Sequence, residues 1–146
     1  MNTLKITMAC VSVALLSWAS WTCKDQVDGP GGGDIVFPAT GVSYGKQVEP
    51  LFNQRCGGQS SQCHGADTYE AFNGFSLDSY QHLRNRVDII VQCFPNQPCD
   101  PELSVLVRRI DGLDGKEKMP PPGSPGLTTN QINGIKQWIR EFAQNN

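Results

Sequence analysis

The residues with the most chemistry in this chain lie together in Arg55-Cys56-Gly57-Gly58-Gln59-Ser60-Ser61-Gln62-Cys63-His64-Gly65. Two thiols followed directly by an imidazole can add across the two vinyl groups of a haem, while the histidine swings under the iron as its proximal ligand. The adjacency of Cys63 and His64 is the informative part. Covalent attachment usually shows Cys-x-x-Cys-His, whereas six residues separate the cysteines here. Gly57, Gly58, Ser60 and Ser61 are small and flexible, and would let the loop bulge while both sulfurs stay at their vinyls. A Cys56 to Cys63 disulfide beside an unrelated histidine is the alternative reading of the same spacing.

A second feature follows 55 residues after His64, in Lys118-Met119-Pro120-Pro121-Pro122. A thioether is a soft, neutral ligand for haem iron, and a His plus Met pair raises the reduction potential relative to two histidines. Prolines after Met119 fix the backbone at low entropy cost and deny it a helix, so the sulfur can be presented to a metal. The other option is a methionine that merely fills a gap in the core. His82 lies beside an apolar stripe rather than on it and reads as a solvated histidine. It is the substitute distal ligand should Met119 not coordinate.

Cys93 and Cys99 enclose five residues, two of them proline. In an oxidising compartment they are expected to form a disulfide that clamps this loop, contributing about 2 kcal/mol. No Ser-His-Asp order, phosphate-binding loop or carboxylate pair beside a histidine stands out. The charged run Arg108, Arg109, Asp111, Asp114, Lys116, Glu117, Lys118 reads as a solvated face and a docking surface near Met119.

Four helical stretches must position these groups. Tyr44 to Arg55 carries Val48, Leu51 and Phe52 at i, i+3 and i+4. Ser79 to Arg86 is a short second helix with Tyr80, Leu83 and Val87 on one side. A third opens with Asp100 as N-cap and Pro101 at the first helical position, and buries Leu103, Leu106, Val107 and Ile110. The last begins at Thr128, with Leu127 as staple and a Thr-x-x-Gln capping box completed by Gln131. Ile132, Ile135, Ile139 and Phe142 then recur at helical spacing, widened by Trp138. Gly134 inside that helix costs about 1 kcal/mol relative to Ala. It therefore points to a close backbone approach, most simply the first helix crossing the last.

The chain has 146 residues, 15 Gly, 10 Pro and six Cys, which bounds it to one small turn-rich domain with appendages and excludes a two-domain enzyme. Its 12 Lys and Arg against 14 Asp and Glu leave no basic field, so nucleic acid is not an expected partner. Residues 1–22 have the layout of a secretory signal peptide, too short and too interrupted by Ser for a membrane span. Two exits are open: cleavage before Ser20, or lipidation of Cys23, whose Cys-Lys-Asp opening resembles bacterial lipoproteins. Residues 23–41 read as a Gly-rich tether, about 20 to 25 Å in reach. Residues 42–146 form the domain.

The order of helix, Cys56…Cys63-His64-Gly65, turn-rich middle, Asp100-Pro-Glu-Leu-Ser-Val-Leu, Lys118-Met119-Pro-Pro and closing amphipathic helix resembles the class I c-type cytochromes. More narrowly, with Gly74-Phe75-Ser76-Leu77, residues 46–143 resemble the planctomycete-type cytochrome c domain, seen also in Bacteroidetes. The resemblance implies an all-α domain wrapped around one covalent haem c, with Cys56 and Cys63 as thioether anchors and His64 and Met119 as axial ligands. It departs from the family in the widened cysteine loop and in the extra pair Cys93 and Cys99. The expected function is electron transfer to redox partner proteins by an exported, periplasmic or cell-envelope lipoprotein, rather than catalysis. Two other classes are a peroxidase-like haem enzyme, for which no distal acid and base pair stands out, and a haem-free, disulfide-stapled binding module.

Overall fold

The computed structural model describes residues 34–57, 63–72, 75–113 and 115–146. The expected signal peptide, Cys23 and most of the expected tether lie outside these residues. Among the described residues the domain is all-α, without strands.

The first helical run follows the expected bounds but changes winding on the way. Tyr44–Val48 forms a π-helical turn, capped where the Ser43 hydroxyl accepts the Lys46 N–H, and passes directly into α1, Glu49–Arg55. Pro50 sits in the first turn of α1, where its missing N–H has no helical partner to lose. Tyr80–Asn85 is α2, with Ser79 as N-cap. Val105–Asp111 is α3 and Thr129–Arg140 is α4. The Thr128 capping box is present in both directions, its hydroxyl accepting from Gln131 N–H and the Gln131 side chain accepting from Thr128 N–H.

The core joins Val48, Leu51 and Phe52 to Leu83, to Val107 and Ile110, and to Ile135, Trp138 and Ile139. Trp138 is fully buried, its indole N–H donates to the Gln144 carbonyl at 2.9 Å, and its ring lies 5.7 Å from that of Tyr44. A buried indole thus keeps a hydrogen-bond partner.

Four expectations differ from the structure. Val87 is 72% exposed rather than on the apolar side with Tyr80 and Leu83, because α2 ends at Asn85 and the extended Arg86 takes the chain off the helical period. Leu103 is 68% exposed because Asp100 caps a separate 3-10 turn, Pro101–Leu103, and the extended Ser104 breaks the helical register before α3 starts. Phe142 is 41% exposed because it follows the end of α4 in the left-handed region, at φ 70°. Gly134 is met by Phe37 and not by the first helix: a Cβ there would collide with the Phe37 ring.

The approach of Phe37 to Gly134 changes how the end of the tether reads. Residues 34–41 are a strap laid on α4. Phe37 is buried, donates its N–H to Asn130 Oδ1 at 2.8 Å, and accepts from Asn130 Nδ2 at 3.1 Å. Gln131 Nε2 donates to the Ile35 carbonyl at 3.3 Å, and the Gly41 and Val42 amides each donate to the Glu141 carboxylate at 2.8 Å. Burial alone would push the Glu141 carboxyl up, but these amides and the Gln137 side chain outweigh it and hold the group below the usual carboxylate range.

Candidate functional site

The chain leaves α1 at Cys56 and comes back on itself. His64 N–H donates to the Cys56 carbonyl at 3.0 Å, closing the widened loop at its base. His64 then accepts from Leu77 N–H at 2.8 Å, so both backbone groups of the histidine are fixed. The Thr68 hydroxyl bonds the carbonyls of Cys63 and Gly65. Cys63 itself takes φ 53°, a left-handed conformation uncommon outside glycine. Gly57, at φ 89°, supplies the same turn beside Cys56 at no steric cost.

Cys56 and Cys63 are free thiols rather than a disulfide, whereas Cys93 and Cys99 are bonded to each other, with Cα atoms 5.3 Å apart. Burial, reinforced by nearby Cys63, pushes the Cys56 thiol up to about 12. It is therefore a protonated thiol at neutral pH and not a reactive thiolate. The His64 ring is packed edge-on against Phe75, centroids 5.3 Å apart. Burial, then the positive charge of Arg109, lowers its pKa, which favours the neutral imidazole that ligates metals.

Met119 is half-buried, in a loop tied to α3 where its N–H donates to the Arg109 carbonyl at 2.9 Å. Arg109 thus joins the two halves of the site, its backbone fastening Met119 while its charge reaches His64. From sequence, the charged run that contains Arg109 reads as a solvated face. In the structure Arg109 is half-buried and Asp111 is ion-paired with Lys136 at 2.6 Å, both drawn inward because α3 packs on α4.

His82 is not simply solvated. Its Nδ1 lies 2.8 Å from Asp78 Oδ1 and 3.2 Å from Ser76 Oγ, and its ring stacks 4.6 Å from Tyr69. Burial raises the Asp78 carboxyl, but hydrogen bonds to Ser76 and His82 hold it below the usual range.

The donor set fits a haem of c type: two reduced thiols, an imidazole biased to its neutral form, and a thioether in a proline-stiffened loop. Among the described residues no three His, Cys, Asp or Glu side chains converge as they would to chelate a bare metal ion. A groove of about 580 Å³ between the strap and α4 shares no residue with this site.

Residues 61–123 match the family described as Planctomycete cytochrome C. The chain contains a cytochrome c-like domain. The matched stretch includes Cys63, His64 and Met119 and starts after Cys56, so the widened motif itself is outside it. A domain of this kind suggests a haem cofactor and electron transfer. Neither the curated proteins nor the solved structures yielded a match. No helix among the described residues is long and apolar enough to cross a membrane.

Proposed function

We propose that this cytochrome c-like chain is an exported electron carrier with one covalent haem, anchored by Cys56 and Cys63 and ligated by His64 and Met119. The observation that carries the reading is the His64 N–H to Cys56 carbonyl bond at 3.0 Å, which returns the first cysteine to the Cys63-His64 pair despite the widened spacing. The haem supplies a reversible one-electron couple at its iron. Cys56 and Cys63 hold it to the chain, and His64 offers a neutral ring nitrogen fixed by both of its backbone hydrogen bonds. Phe75 on the His64 ring, together with Leu77 and Ile110 in the adjoining core, excludes water and so favours the reduced, less charged state.

With His64 and Met119 both offered to the iron, the chain would leave no place for a substrate there, which favours a carrier over a peroxidase. Redox proteins are the proposed partners. Export, and a lipid anchor at Cys23, rest on the N-terminal sequence.

The test is a pyridine haemochrome spectrum of the purified protein, followed by extraction with acidified organic solvent. Haem that stays on the polypeptide is the expected result. A haem-free protein supports the disulfide-stapled module instead, and quantitative release of haem removes covalent attachment.

A further inference from the structure

The loop that carries Met119 is rich in residues that cannot fasten it through their own amides. Pro120, Pro121 and Pro122 have no N–H to donate, so the backbone immediately after the methionine cannot be tied down through its own amides. On the other side Gly112 and Gly115 both adopt positive φ, 76° and 70°, and no side chain stiffens them. Beyond the Ser124 N–H to Pro121 carbonyl bond at 3.1 Å, the prolines cannot fasten the methionine, and a hold from outside the loop is needed.

The end of α3 provides that hold. The last carbonyls of a helix have no partners within it. The Arg108 carbonyl is satisfied by the Gly112 and Leu113 amides as the chain turns back. The next one, on Arg109, takes Met119 N–H at 2.9 Å. The guanidinium of the same residue donates from Nη1 to the Glu117 carbonyl at 3.2 Å. Between these points the Lys118 stem lies over Gly112, where an added Cβ would sit 3.4 Å from Lys118 Cδ. Three successive residues, 117 to 119, are thereby pressed to one helix end. That end is itself rigid, with Val107 and Ile110 buried and Asp111 paired to Lys136.

We infer that Arg109 is a positioning residue for Met119, its side chain clamping the loop at Glu117 so that the thioether is held at the iron. The inference rests on the reading of Met119 as a ligand. Lysine could retain the charge and one donor at this place, but not the planar fork. Glutamine removes the charge and most of the reach.

The test uses the full-length protein with its haem in the ferric state and imidazole at pH 8 as the competing ligand. Imidazole at that pH is mostly uncharged, so losing the Arg109 charge does not by itself change its approach. The readout is the rate at which imidazole abolishes the weak far-red absorption of iron bound by imidazole and thioether. Arg109→Gln should accelerate displacement about tenfold, the factor expected for one lost hydrogen bond from a charged donor. Arg109→Lys should fall between, about threefold faster than the unsubstituted protein, and it serves alone if the glutamine variant does not fold. Far-red absorption with unchanged displacement rates in the variants overturns the clamp while leaving Met119 as ligand. Absence of that absorption from the unsubstituted protein overturns the ligand reading, and the clamp with it.

Discussion

Replacing Gly134 by alanine should destabilise this domain even though alanine is the better helix former. In an open helix the substitution would gain about 1 kcal/mol from backbone entropy. Here the new methyl group would overlap Cγ, Cδ1 and Cβ of Phe37, and that ring cannot swing aside cheaply because Asn130 holds the Phe37 backbone through both its N–H and its carbonyl. The ring must leave its site. Phe37 is only 4% exposed, so its expulsion forfeits about 3 kcal/mol of apolar burial. The difference is a loss of about 2 kcal/mol, which lowers the melting temperature by roughly 10 °C in a domain of this size. Urea and thermal unfolding followed by far-ultraviolet circular dichroism measure it. The decisive comparison is the cycle with Phe37→Gly, which removes the Phe37 Cβ as well as the ring, and in which Gly134→Ala should turn stabilising, by up to about 1 kcal/mol. A Gly134→Ala protein that is more stable than its parent would refute the packing of the strap on α4.

The remaining predictions concern the site and its supports. Met119→Ala should make the iron high-spin or water-bound and open to cyanide, and Met119→His should keep it low-spin at a lower potential, as read by absorption spectra and redox titration. Reducing the Cys93 to Cys99 disulfide should cost about 2 kcal/mol in chemical denaturation while the haem spectrum stays unchanged. The pH dependence follows from Glu141 and Asp78, both held below the ordinary carboxylate range. Below a pH of about 4 the unfolded chain binds protons that the folded one refuses, so stability present at neutral pH is lost as acid approaches the folded-state values. Glu141→Gln should lower stability at pH 7 and flatten part of that acid decline. In a host that processes lipoproteins, the chain should sediment with membranes and Cys23→Ser should release it; a soluble unsubstituted protein beginning at Ser20 would contradict the anchor.

What could be read in the sequence was local. Thr128 and Gln131 stand three residues apart and make their capping box without help from the rest of the fold. Ile135, Trp138 and Ile139 follow the same helical period into the core. Cys63 and His64 are adjacent, so their joint chemistry needed no folding to be seen. What could not be read depends on pairings across the chain or on a single broken turn. Composition made residues 34–41 part of a tether, because nothing near Phe37 announces a glycine 97 positions away that leaves room for its ring. Leu103 was counted in register with Leu106, but the extended backbone of Ser104 lies between them and rotates it out to solvent. Arg109 stood in a run of charges, and only the return of the Met119 loop onto α3 separates it from its exposed neighbour Arg108.

The two ends of the domain are stitched together. The Gly45 amide and the Ser43 hydroxyl donate to the Asn146 backbone oxygen at 3.0 and 2.6 Å, the Tyr44 amide donates to its side chain at 2.9 Å, and Glu141 holds Gly41 and Val42. These pairings span about a hundred residues, and loop closure of that length is late and costly in entropy. A chain that emerges from its N-terminus cannot make them until residues 141–146 have arrived. For all of that time Cys56 and Cys63, the proposed haem anchors, sit in a polypeptide that has not shut. On the proposed reading of these cysteines, the clasp sets an order of events in biogenesis: haem attachment has its opportunity first, and closure follows.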